Sequence, residues 1–250
     1  MATTVKSALR VLELLEFFAE ERRPAAVGVI AQSLGWPQSS TSVLLGCLTE
    51  SGHFDHDPRS GLYAPNVRIA LATAWVQEHL YSEHKLLRLM ERVRDATGHT
   101  VMIGMRRGVH VRYLHVLQAT LEGRFEAKTG ALRPLYHSAA GKMLLTLLAQ
   151  REVAMLLRKA NGLETDPARR LEFDAVCRDI ELARSEGYAM STGTSMPGAA
   201  ALAVLIPVGR EREPMTLSVG GPMRQVQRER QRLLAVLREA IEPIRRAAAT

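Results

Sequence analysis

Three groups of side chains in this 250-residue chain carry reactive or binding chemistry. The first is the run Gln38, Ser39, Ser40, Thr41 and Ser42, an amide followed by hydroxyls, whose donors and acceptors suit base edges and phosphate oxygens. The second is His53, Asp55, His56 and Asp57, residue types that ligate metals. The third comprises Ser195 and the adjacent pair His137 and Ser138, which invite a hydrolase reading.

The catalytic and metal readings are the weaker ones. Around Ser195 the order is Gly193, Thr194, Ser195, Met196, Pro197, without the second glycine that a nucleophile elbow needs. His137 and Ser138 are neighbours in sequence, and adjacency alone does not build a catalytic pair. Residues 53–57 alternate as a strand would, so their side chains point to opposite faces instead of converging on one ion. No catalysis, metal or cofactor is therefore expected, and a hydrolase using Ser195 or Ser138 stays as a minor alternative. The two cysteines, Cys47 and Cys177, are far apart and lack a CxxC partner, so no disulfide framework is expected. Cys47 is expected to be a small buried hydrophobe on an apolar helix face.

The elements that must position the first group can be read from periodicity. Val5, Ala8, Leu9, Leu12, Leu15 and Phe18 recur at intervals of three or four and predict an amphipathic helix that ends at Arg22, Arg23 and Pro24. A short helix from Gly28, as N-cap, to Ser33 would bury Val29, Ile30 and Leu34, and Gly35 would turn the chain. Pro37 opens a third helix, with Ser39 or Ser40 as its cap. Leu44, Leu45 and Leu48 of that helix would face inward and the hydroxyl run outward. Beyond Gly52, two alternating stretches flank Asp57-Pro58-Arg59-Ser60-Gly61 and predict a hairpin with Arg59 and Ser60 at its tip. Two helices, a turn and a hairpin make a winged helix-turn-helix, whose usual partner is double-stranded operator DNA.

Composition bounds this reading. With 46% hydrophobic residues and a mean hydropathy near zero the chain has ample material for soluble cores. No run approaches the roughly 18 apolar residues of a spanning helix, so no membrane partner and a cytoplasmic location are expected. The net charge is +7, yet residues 1–80 hold six basic against eight acidic residues, and the remaining 27 basic and 18 acidic residues lie beyond them. Global charge thus says nothing about DNA contact, which needs cations near the phosphates. Lys6, Arg10, Arg59 and Arg68 are the local candidates.

The stretches SALRVLELLEFF (7–18), IAQSLGWPQSST (30–41), RGVHVRYLHV (107–116), RPLYHSAAGKMLL (133–145), RSEGYAMSTG (184–193) and LSVGGP (217–222) together resemble the IclR family of transcriptional regulators. The resemblance implies an α+β architecture: a winged helix over residues 1–66, a linker and dimerising helix over 67–81, and a GAF-like mixed α/β effector-binding domain over 82–250. It also implies a homodimer or dimer of dimers. DNA contacts would come from Lys6, Arg10, Gln38, Ser39, Ser40, Thr41, Ser42, Arg59 and Ser60. A small organic acid would be held by Met102, Ser138, Ala139, Ala140, Gly141, Ser191, Thr192, Ala201, Leu202 and Ser218. In the second domain, the pattern predicts strands at 100–105 and 109–116, a helix capped by Ser138 with Met143, Leu144 and Leu147 apolar, and a helix over 171–186. It further predicts strands at 201–206 and 215–220 and a basic helix from about Val226.

Two departures from the family matter. Where the family often has Lys and a His-Arg pair on the reading helix, this chain has Gln38, Ser42 and Val43, which predicts a less cationic base readout. Where the family shows Asp or Glu after the GY motif and Cys on the next strand, here stand Ser191, Thr192 and Ala201. That predicts a more apolar pocket for an aromatic or aliphatic acid. The acidic N-terminal balance leaves one further alternative, a winged helix kept for protein contacts without an effector.

Overall fold

The computed structural model describes residues 5–72, 86–120, 127–207 and 213–248, and the chain divides into two compact units, Met1–Glu83 and His84–Thr250. The first contains α1 (Lys6–Glu21), β1 (Ala25–Ala26), α2 (Val27–Leu34), α3 (Gln38–Glu50), β2 (Phe54–Asp57) and β3 (Leu62–Pro65). A further helix, α4, starts at residue 67 and is described through residue 72; the rest of the expected linker helix lies outside the described residues.

Helix α1 turns inward only the C-terminal part of the row its spacing suggested, Leu15 and Phe18, together with residues outside that row. Leu14, Phe17 and Phe18 are buried, whereas Val5, Leu9 and Leu12 are exposed. The two phenylalanines offer more area to bury than the aliphatic row, and so set the rotation of the helix. Phe18 meets Phe17 and Phe54 edge-on, with centroids 5.1 and 5.5 Å away, which fixes the hairpin to α1. Ala26, not Gly28, is the N-cap of α2, and Val29, expected to be buried, is exposed while Ile30 and Ala31 face the core. Gly35 ends α2 at φ +67°, a conformation that disfavours side chains with a Cβ. The hairpin runs in antiparallel register from Phe54 opposite Pro65 to Asp57 opposite Leu62, and β1 adds to β3 to complete a three-stranded sheet.

The second unit comprises α5 (Leu86–Thr97), β4 (Thr100–Arg107), β5 (His110–Leu117), β6 (Leu132–Pro134), α6 (Ala139–Leu145), α7 (Gln150–Leu163), α8 (Phe173–Glu186), β7 (Ala189–Thr192), β8 (Ala199–Ile206), β9 (Met215–Pro222), α9 (Met223–Arg228) and α10 (Arg230–Ala248). Its strands form one antiparallel sheet in the order β6-β5-β4-β9-β8-β7. The expected strands and the helices at 173–186 and from Met223 onward are present. Helix α7 and the short strands β6 and β7 have no counterpart in the periodicity described above. Helix α6 stops at Leu145, and Leu147, expected on its apolar face, is exposed.

Register shows which residues share a face. Met102 lies opposite Ser218, Ser218 opposite Ala203, and Ala203 opposite Ala189, a row that faces α6 and its core. Their neighbours Val101, Val219 and Leu202 form the next row and point to the other side of the sheet. Helix α6 sits unusually close to the chain before it: a Cβ built on Gly141 would lie 1.9 Å from the Leu135 carbonyl oxygen. Only glycine fits there.

Substituting Gly141→Ala is expected to destabilise the protein by about 1–3 kcal/mol or more through this clash, measured by urea denaturation. Two histidines give a pH dependence. Burial lowers the pKa of His99, whose Nε2 lies 3.8 Å from Glu229 Oε2, against the raising effect of that carboxylate; burial, with Arg169 and Lys142, lowers that of His137. A depressed imidazole pKa means the unfolded chain binds protons first, so stability is full above the ordinary value of 6.5 and falls as pH drops below it. Calorimetry between pH 7.5 and 5.5 should show that fall, with a shallower slope in His99→Gln.

Candidate nucleic-acid interface and ligand cavity

On α3 the hydroxyl run divides by helical phase. Gln38, Ser39 and Ser42 are exposed, but Thr41 is buried and its Oγ1 donates to the Pro37 carbonyl at 3.0 Å. Thr41 is therefore a core residue, out of reach of a base. Ser40 is half-buried and its Oγ donates to the same carbonyl, so neither it nor Ser39 caps the helix, which starts behind Pro37 without a side-chain cap. Cys47, expected to be buried, is exposed on the outward side together with Val43. Leu44, Leu45 and Leu48 pack inward as the spacing predicts; Thr41, one turn before Leu45, lies on that inward line, whereas Cys47, two positions beyond Leu45, faces away from it.

The wing tip is preorganised. Asp57 Oδ1 accepts the Arg59 N–H at 2.9 Å and Oδ2 accepts the Ser60 hydroxyl at 2.6 Å. These hydrogen bonds, Ser60's foremost, hold the Asp57 carboxyl below its ordinary pKa. The Ser60 hydroxyl is thus spent on the turn, while the exposed Arg59 side chain is directed into solvent. At the base, Asn66 Nδ2 donates to the Gly52 carbonyl at 2.9 Å and to Asp55 at 3.2 Å. His53 shares a 2.9 Å hydrogen bond with Ser51, and His56 stacks on Tyr63 at 4.2 Å, so this histidine and aspartate cluster is occupied in building the hairpin.

The expected cations are also divided. Arg10 lies over the Trp36 ring, 5.2 Å from its centroid, and Arg68 Nη1 donates to the Ser51 carbonyl at the end of α3. Both brace the helix-turn-helix. Lys6 and Arg59 are exposed.

In the second unit, a small, partly open cavity of about 20 Å³ lies between the start of α6 and the sheet. Of the residues expected to hold an effector, Ser138, Ala139, Ala140, Ser191, Ala201 and Ser218 line it, and Arg133, Tyr113, Ser195 and Met196 join them. The Ser218 hydroxyl is buried and has no hydrogen-bond partner among the described residues. Ser138 caps α6 by accepting the Gly141 N–H at 3.1 Å, which uses one of the amides that a helix N-terminus leaves without an intrahelical partner. Thr194 Oγ1 donates to the His137 carbonyl at 2.7 Å, and Gly193 N–H donates to Ala199, so the 193–198 loop is a bonded structure that closes one side.

Four expected effector residues lie elsewhere. Leu202 points through the sheet to the opposite core because it alternates with Ala201, and Thr192 alternates with Ser191 and is exposed. Met102 is fully buried in the hydrophobic cluster under α6, and Gly141 is consumed by its contact with Leu135. Arg133 was missed because it precedes Pro134 in a strand whose position could not be read from sequence. It lies over Tyr113, 5.5 Å from the ring centroid, and burial raises the Tyr113 pKa against the lowering effect of that guanidinium.

An exposed reading helix with a wing, on one chain with an antiparallel sheet domain, defines a two-unit transcription regulator. The descriptions "IclR helix-turn-helix domain" and "Bacterial transcriptional regulator IclR C-terminal" match residues 7–57 and 78–246. The chain belongs to the IclR family; it is a regulator and not an enzyme. It is 28% identical to the transcriptional repressor IclR of Escherichia coli, over 90% of this chain and 83% of that one. It is 25% identical to the glycerol operon regulatory protein of Streptomyces coelicolor, over 98% and 97%. The Thermotoga maritima IclR structure superposes with a TM-score of 0.65 at 19% identity, covering 98% of this chain and 99% of that one. Among the described residues no helix is long and apolar enough to cross a membrane.

Replacing Arg59 with alanine should weaken DNA binding and reduce the slope of log affinity against log salt by about one. A salt titration by fluorescence anisotropy would show it; an unchanged slope would remove the wing arginine from the phosphate contacts.

Proposed function

We propose that this chain binds double-stranded operator DNA in the cytoplasm as a homodimer or dimer of dimers, and that a small organic acid in the α6 cavity modulates the binding. The unpartnered Ser218 hydroxyl carries the effector half of this reading. A buried hydroxyl without a partner costs about 1–3 kcal/mol, and such groups are rare unless a water, ion or ligand meets them. Arg133 supplies a cation for a carboxylate at the same cavity, Ser191 and Ser195 add hydroxyls, and Ala139, Ala140 and Ala201 offer apolar wall. The lining supports an acid with an aromatic or aliphatic body and one polar substituent. Names of relatives that refer to glycerol and acetate operons are in keeping with a regulator of small-molecule metabolism.

Self-association is supported by apolar surface left open by the described residues: Val5, Leu9 and Leu12 on or beside α1, and Val67 and Leu71 on α4, are exposed. Two reading helices held on one symmetric assembly would match half-sites about one helical turn apart.

Titration calorimetry with aromatic, aliphatic, hydroxy and keto acids tests the effector. Arg133→Ala should abolish measurable binding of the preferred acid, and Ser218→Ala should weaken it about two- to tenfold. Binding confined to small hydroxy and keto acids would refute the apolar body. No binding by any acid would refute the sensor.

A further inference from the structure

The outward line of α3 contains one residue that a solvated helix face does not ask for. Val43 is 68% exposed, flanked by exposed Ser39, Ser42 and Cys47. One turn further on is Gly46, where an added Cβ would meet nothing within 4 Å. A glycine in the middle of a helix weakens it, and no neighbour among the described residues requires its small size. An exposed branched apolar side chain beside a gap is a surface shaped for close approach by something outside the chain. Because α3 is the reading helix of the family's helix-turn-helix, that surface is continuous with the DNA-contacting face.

The chemistry of the partner follows from what the line lacks. No Lys or Arg occurs between Gln38 and Glu50, so the bidentate cationic partner of guanine is missing. The major groove presents only one apolar group, the thymine C5-methyl, and a valine side chain is its natural contact. We propose that Val43 reads a thymine methyl in each operator half-site, with Gly46 allowing the helix to seat deeply enough for that contact. Gln38, at the start of the same helix, has the amide that pairs with adenine, so the half-site core is A·T-rich.

This rests on the DNA-binding reading, and the test separates the two. An operator is first selected from random double-stranded DNA by the full-length protein, and each thymine is then replaced singly by deoxyuridine, which deletes only the methyl group. With the wild-type protein, one position per half-site should lose about fourfold in affinity, the value of burying one methyl-sized group. With Val43→Ala that position should become insensitive to the replacement, while the salt dependence of binding stays unchanged. Gly46→Ala should raise the melting temperature and weaken operator binding together. Specific binding with the same deoxyuridine profile for wild type and Val43→Ala overturns the proposal alone. Failure to select any sequence overturns the DNA-binding reading as well.

Discussion

The approach of α6 to the backbone at Leu135 governs the second unit. A glycine at 141 lets the helix lie against the preceding carbonyl, and that contact brings Ser138, Ala139 and Ala140 over the sheet instead of a side chain's width above it. Everything that lines the cavity takes its place from this separation. Ser218, Ala201 and Ser191 face α6 because their rows alternate with Val219, Leu202 and Thr192, and the Thr194 hydrogen bond to His137 draws the 193–198 loop over the side. The cavity is a consequence of one helix packed too closely for any side chain to intervene.

The first unit depends on a different fit, the edge-on contact of Phe18 with Phe17 and Phe54. It joins α1 to the hairpin and sets the rotation of α1, while Leu45 and Thr41 set that of α3. What faces outward on α3 is what this packing leaves over.

The winged-helix layout and the strands of the second unit were legible because punctuation and periodicity are local: Gly35 at its turn, Asp57 to Gly61 at the hairpin, and apolar runs at 201–206 and 215–220. Helical phase was not local. In α1 both the aliphatic row and the Leu14 and Phe17 row are apolar, and only tertiary contact decides between them. Thr41 could pass for a surface hydroxyl, since nothing in a single sequence says that its oxygen bonds a carbonyl one turn back. The cavity shows the same division. The serines at 138, 191 and 218 were found by resemblance, whereas Leu202 fell to the wrong side by strand alternation and Arg133 was invisible without its sheet position. Residue type was readable; direction required the fold.

The two arginines tied up within the helix-turn-helix have a kinetic side. Arg10 lies over Trp36 and Arg68 bonds the end of α3, so few cations are left to hold phosphates indiscriminately. A reading head with so few free cations would dwell briefly on random sequence and slide over short stretches, because sliding depends on charge attraction to the phosphates. It would gain discrimination from a low background on the rest of the genome and give up speed of search in exchange. On the proposed assembly of two heads this would be compensated, since the second head would bind at the high local concentration set by the first.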